Sequence, residues 1–256
     1  ELNETLERRV PEAEAQNRVK DHMLIQQSRQ AARGAMIGNI AHQWRQPLNA
    51  LGLLLANVQD SFAFGELDEE TLDRSVANGQ RIIRKMSDTI DDFRNFFRPN
   101  REKVVFSLDA AVRSALDLVS ASFRQGNVEL HFQGDESLRL EGFSNEFSQV
   151  MLNLLVNARE AILQNGRTGG VVDVRAWRED GQACLTVRDN GGGIPAAALP
   201  KIFDPYFTTK ENGTGIGLYM SRKILENMNG KLTARNRDEG AEFMLRLPLL
   251  ASEPVG

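Results

Sequence analysis

Asn153 and Asn157 stand one helical turn apart within the stretch Phe143 to Leu163, whose apolar spacing predicts a long amphipathic helix with both amides on one face. Neutral amide oxygens can hold a magnesium ion that keeps waters and phosphate oxygens as its other ligands. Further along, Asp189-Asn190-Gly191-Gly192-Gly193 follows an alternating strand pattern. Its glycines permit positive φ and close backbone approach, and the carboxylate can accept from an exocyclic amine such as that of adenine. The segment Phe203-Asp204-Pro205-Tyr206-Phe207-Thr208-Thr209-Lys210 is too aromatic for an ordinary surface loop, and its lysine could reach phosphates. Last, Gly213-Thr214-Gly215-Ile216-Gly217-Leu218 opens a predicted helix, whose free N–H groups and positive dipole end favour an anion.

Taken singly, each segment has an ordinary explanation: helix-surface asparagines, a glycine turn, a loop stapled to the core by Phe203 and Phe207. The glycine-rich turn also lacks the βαβ setting of a dinucleotide fold and the Lys-Ser/Thr of a P-loop, so neither of those readings holds.

The elements that would position these residues follow from periodicity. Residues 1–33 are rich in Glu, Gln, Arg and Ala, with Leu2, Leu6 and Val10 on one stripe, and predict a coiled-coil signalling linker that Pro11 kinks or restarts. Ile37, Ala41, Trp44, Leu48, Leu51, Leu55, Val58 and Phe62 recur at steps of three and four, as do Leu72, Val76, Gly79, Ile83, Met86, Ile90, Phe93 and Phe97 after Phe64-Gly65-Glu66. Two such helices make an antiparallel hairpin over 34–99 that cannot cover its own seam; a homodimer forming a four-helix bundle would. Pro99 ends the second helix. From there to residue 250 the pattern predicts an α+β domain: strands at Val104–Phe106, Val128–Phe132, Val171–Trp177 and Ala183–Arg188, helices at Leu108–Phe123, Phe143–Leu163 and Ile216–Met228, and a closing hairpin through Leu232 and Phe243–Leu247. A tail covers 251–256.

Read in order, the four polar segments resemble the N, G1, F and G2 boxes of the histidine-kinase ATP-binding domain, over about Phe106 to Pro248. The wider group includes DNA gyrase, a heat-shock chaperone family and the MutL mismatch-repair proteins. The resemblance implies a Bergerat-type α/β sandwich with ATP and Mg2+ as cofactors, and Asn157 with Asn153 at the metal. It sets Asp189 at adenine, with Gly191, Gly193, Ile194, Lys210, Thr214, Gly215, Ile216, Gly217 and Leu218 completing the nucleotide site. A mobile lid is implied between Ile194 and Gly213.

In the first domain, Ile40-Ala41-His42-Gln43-Trp44-Arg45-Gln46-Pro47-Leu48-Asn49 resembles the H box of the dimerisation and phosphotransfer domain. His42 flanks the seam next to Ala41, and Pro47 removes a bond to the Gln43 carbonyl and should bend the helix one turn later. His22, in the linker, and His131, on the polar side of its strand, have no comparable setting. The resemblance implies autophosphorylation of His42 from ATP and transfer to an aspartate of a response-regulator receiver domain. Gln46 sits where relatives place a Thr or Asn that orients water for dephosphorylating that partner. Gln43 replaces the acidic residue that follows the histidine in many relatives, which removes an obvious base. The chief rivals are an ATPase of the gyrase, chaperone or MutL type and a coiled-coil scaffold with a degenerate nucleotide domain. The former places a glutamate one turn before the metal asparagine, where Asn153 stands here.

Bulk properties agree. The net charge of −4 over 256 residues leaves no basic stripe for nucleic acid. The single cysteine, Cys184, excludes an intrachain disulfide, suits a reducing compartment and reads as a buried strand residue. No apolar run approaches the roughly 18 to 20 residues that span a bilayer. The start at Glu1-Leu2-Asn3, without methionine and inside a helical pattern, reads as a cytoplasmic fragment whose sensor region, and any membrane anchor, would precede it.

Overall fold

A computed structural model describes residues 44–96, 102–166, 168–210 and 213–250, with Met23, Gln27 and Gln30 as isolated helical positions. His42, Gln43, Pro99, the 251–256 tail and the 1–33 linker apart from those three positions lie outside the described residues. The chain divides into a helical unit, Ala35–Arg98, and a second unit whose body is Pro99–Gly256.

In the helical unit, residues 44–63 form α1 and Glu69–Phe96 form α2. The stop and restart are encoded locally. Gly65 takes φ 72°, Glu66 N–H reaches the Ser61 carbonyl at 2.8 Å and Gly65 N–H the Phe62 carbonyl at 3.1 Å; this pairing closes a helix end around a left-handed glycine. Asp68 Oδ1 then accepts from Thr71 N–H at 2.7 Å, capping a helix whose first turn carries Glu69 and Glu70. The helices fold back on each other: a Cβ placed on Gly79 of α2 would lie 3.3 Å from Leu54 of α1, with Leu51 at 3.8 Å. The apolar stripes divide between two surfaces. Trp44, Leu51, Leu54, Val58, Gly79, Ile82 and Met86 are wholly or partly buried in the hairpin, whereas Leu48, Leu55, Phe62, Leu72, Val76 and Ile83 remain exposed.

The second unit is an α+β sandwich. β1 (Val104–Ser107) pairs antiparallel with β3 (Arg139–Gly142). β2 (Val128–Gln133), β4 (Gly170–Glu179), β5 (Gln182–Asp189), β6 (Lys231–Arg237) and β7 (Gly240–Pro248) form a five-stranded sheet in the order β2-β4-β5-β7-β6. Only β2–β4 is parallel; the other three pairings are antiparallel. Strand alternation sends Val172, Val174, Leu185, Val187, Phe243 and Leu245 to the buried face. Against them pack α3 (Leu108–Gln125), α4 (Ser144–Gln164) and α5 (Gly217–Asn227) through Val112, Val119, Phe123, Met151, Leu155, Ile162, Met220 and Ile224. The opposite face carries a row of alternating charge, Asp173, Arg188, Glu242 and Arg235, set by the register. His131 extends it from β2, beside Asp173. Cys184 is buried, which pushes its thiol pKa up. None of the described helices is long and apolar enough to cross a membrane.

Candidate functional site

The polar face of α4 is held from two sides, by α5 and by Lys210. Asn153 donates from Nδ2 to Ser221 Oγ on α5 at 2.9 Å, Ser221 in turn donates to the Gly217 carbonyl at 3.0 Å, and a Cβ on Gly217 would run into Asn153 Oδ1. The asparagine thereby registers the start of α5 against α4, and only glycine lets them come so close. One turn on, Asn157 Oδ1 accepts from Lys210 Nζ at 2.7 Å. The same ammonium is paired with the Glu160 carboxylate. The lysine of the aromatic loop therefore sits as a cation on an amide oxygen and a carboxylate oxygen, both hard donors.

At the other end of α4, the glycine loop is pressed onto the helix backbone. A Cβ on Gly191 would stand 2.8 Å from Ile162 N, and Asn165 Nδ2 donates to the Gly191 carbonyl at 2.7 Å. Asp189, the last residue of β5, is buried and points to the helix side of the sheet. Its Oδ1 accepts from Gly191 N–H at 2.8 Å and Ala241 N–H at 3.3 Å. Among the described residues Oδ2 has no donor, which leaves one oriented oxygen for a ligand amine. Burial pushes the Asp189 pKa above its ordinary value, opposed by the two backbone donors. Gly192 and Gly193 have φ of 90° and 77°, and Ile194 exchanges two hydrogen bonds with Asn236: N–H to Oδ1 and Nδ2 to the carbonyl, each 2.7 Å.

Between Ile194 and α5 the chain turns through a short 3-10 helix, Leu199–Lys201, anchored by buried Ala198 and Ile202. Arg222 of α5 lies over the Phe203 ring, 5.7 Å from its centroid. Tyr206 is exposed, with φ 65°, and its carbonyl lies so close to Gly215 that any Cβ there would collide with it. Thr208 Oγ1 accepts from Lys210 N–H at 3.1 Å. α5 begins without a side-chain cap, and the positive end of a helix favours an anion there. Thr214 is exposed, Ile216 buried and Leu218 half-buried around that start.

One unit thus brings together Asn153, Asn157, Lys210, Gly215, Ile216, Gly217 and Leu218 near the α4–α5 crossing, and Asp189, Gly191, Gly193 and Ile194 at the end of β5. Gln46 lies exposed on α1 in the other unit. The sequence reading missed Glu160, Asn165, Ser221, Asn236, Gly240 and Ala241. Glu160, three residues after Asn157 on the same face, was within its reach.

Residues 142–251 match the family model described as histidine kinase-, DNA gyrase B-, and HSP90-like ATPase. A solved structure, the nucleotide-free catalytic domain of the histidine kinase ThkA, is 32% identical with TM-score 0.53; the match covers 57% of this chain and 95% of that one. The chain belongs to the histidine kinase family. Its second unit is the ATPase-type catalytic domain of that family, an α+β fold built to bind ATP. Similarity extends beyond this domain: the two-component sensor PprA of Pseudomonas aeruginosa is 35% identical over 240 residues, 91% of this chain, and the sensor protein FixL of Bradyrhizobium diazoefficiens 34% over 236 residues, 88% of it. The chain spans 26% of PprA and 45% of FixL, so these relatives are much longer.

Proposed function

We propose that this chain is the autophosphorylating core of a two-component sensor kinase, with the coiled-coil linker over 1–33, the dimerisation and phosphotransfer hairpin over 34–99 and the catalytic domain over 100–250. The observation that carries the reading is the pairing of two fixed polar ends on one helical frame: a buried carboxylate with one open oxygen at Asp189, and an amide–carboxylate–ammonium cluster beside an uncapped helix start at α5. The first suits the exocyclic amine of adenine. The second suits a triphosphate with its metal.

Asn157 Oδ1 and the Glu160 carboxylate already hold a cation, the Lys210 ammonium, so their donor set fits Mg2+. Bound there, the metal would neutralise phosphate charge. Asn153 donates from Nδ2 to Ser221 and so supports α5, while its Oδ1, 3.5 Å from Asn157 Nδ2, stands beside Asn157 as a second amide oxygen for the metal. The chain's own residues then act by positioning. Asp189 accepts from the adenine amine, the α5 start and Gly215 offer N–H groups to phosphate oxygens, and Lys210 transfers its charge from Glu160 to the phosphates. A nitrogen of His42 attacks the γ-phosphorus in line; the N–P bond forms as the bond from that phosphorus to the β-γ bridging oxygen breaks, ADP departs, and the imidazole loses its proton to solvent in the absence of a carboxylate at Gln43.

The phosphoryl group then passes to an aspartate of a receiver domain, a partner class supported by the two-component relatives. Gln46, exposed on α1, orients water for the reverse dephosphorylation. The exposed stripe of Leu48, Leu55, Phe62, Leu72, Val76 and Ile83 supports a homodimer. The test is incubation with γ-labelled ATP and Mg2+: acid-labile, base-stable label on the protein is expected. Release of free phosphate without protein label would favour a simple ATPase.

A further inference from the structure

The glycine loop that roots the adenine contact is fixed unevenly. Its first residue, Asp189, belongs to a central strand and is bonded to Ala241. Next comes Asn190, whose amide accepts from Val171 N–H and donates to the Gly169 carbonyl, each at 2.9 Å, and after it three glycines, the residues with most backbone freedom to lose on ordering. At the far end stands Ile194, with a half-buried side chain.

We propose that Asn236 is a positioning residue for the adenine end of the nucleotide site: its carboxamide grips both backbone groups of Ile194 and so fixes the shape of the loop in which Asp189 meets the base. This rests on the nucleotide reading above. The two bonds, 2.7 Å each, reproduce what a neighbouring strand would give a single residue. Only a side-chain amide supplies donor and acceptor together in that form. Asn236 itself is held in register by β6, where it pairs with Ala241, the residue whose N–H bonds Asp189.

The rest of the β6–β7 turn supports the same loop. Glu239 O accepts from Gly192 N–H at 2.8 Å, a Cβ on Gly193 would lie 3.0 Å from Asn236 Oδ1, and the Gly240 backbone rests on the Asp189 carbonyl. The β6–β7 turn, far along the chain from the loop, therefore acts as its template. Asn236 is the side chain of that template that bonds Ile194, and the residue whose loss frees the far end of the loop while leaving the Asp189 root in place.

If Asn236 acts through the adenine contact, its loss must weaken nucleotides that use that contact more than one that does not. Inosine triphosphate lacks the exocyclic amine, so the ratio of ATP to inosine triphosphate affinity, measured by calorimetry on the full chain with Mg2+, reads the geometry at Asp189. For Asn236→Ala that ratio should fall about tenfold, the scale of one net hydrogen bond, with little change for inosine triphosphate. Asn236→Asp, similar in size but placing an anion against the Ile194 carbonyl, should lower the ratio as much. Asn236→Gln, which keeps the side-chain amide one methylene further out, should restore part of it. Equal weakening of both nucleotides, or an unchanged ratio in the Ala and Asp variants, would overturn the proposal. Failure of the underlying reading has its own signature: no saturable ATP binding by the unaltered chain.

Discussion

Asp189 combines burial with a single open oxygen, and this makes its protonation state visible in binding. Because burial raises its pKa in the folded chain, the protonated form is favoured by folding: the contribution to apo stability is full below the ordinary aspartate range and lost as pH rises through the raised value. If Asp189 meets the adenine amine as proposed, nucleotide binding has the opposite sign, since the ionised carboxylate is the stronger acceptor. ATP affinity should therefore fall on acidification from a higher pH than an ordinary carboxylate would give. Asp189→Asn should bind weakly and lack that component; comparing the two between about pH 4 and 7 separates it from titration of the phosphates. Superimposable pH profiles would remove Asp189 from the adenine contact. A second residue-scale expectation concerns Glu160, whose pair with Lys210 is partly exposed and contributes at most about 1 kcal/mol. Glu160→Gln should leave the thermal midpoint within a few degrees, yet reduce the factor by which Mg2+ strengthens ADP binding. An unchanged Mg2+ factor would show that Asn157 works without it.

At the scale of elements, close approaches at glycine hold the site together. Gly240→Ala would place a Cβ inside the Asp189 carbonyl; overpacking of this kind costs about 1–3 kcal/mol or more. The midpoint should drop by several degrees and ATP binding with it, checked by thermal melts with and without nucleotide. The polar segments on α4, β5 and α5 were legible in the sequence because their chemistry is carried by residue type and local spacing, and β4 and β5 were legible from alternation. β3 was not: Arg139-Leu140-Glu141-Gly142 offers a single apolar residue, and the strand exists because β1 pairs with it. Asn165, Ser221 and Asn236 were missed for a related reason. Each bonds a residue 26, 68 or 42 positions away, a separation no local pattern encodes. The hairpin stripes were seen but merged: the seven-residue repeat holds Leu51 and Val58, half-buried in the hairpin, together with Leu48, Leu55 and Phe62, which face out.

At the scale of the whole molecule, the proposed homodimer would cover that outward stripe with a second copy. Leu55→Glu adds a charge to an already exposed position, so a monomeric chain would tolerate it with little effect. Sedimentation of the unaltered chain should give a dimer and of Leu55→Glu a shift to monomer, with ATP binding retained; a monomer in both cases would contradict the bundle. A dimer in turn places two acceptor histidines and two nucleotide sites in one assembly. ATP and His42 are proposed as the two ends of one reaction, and the most direct measurement is single-turnover labelling of the His42→Ala chain from γ-labelled ATP with Mg2+, alongside calorimetric ATP binding. Acid-labile label should vanish while ATP affinity stays within about twofold of the unaltered chain, a difference well under 1.4 kcal/mol. Label persisting at the level of the unaltered chain would contradict that proposal.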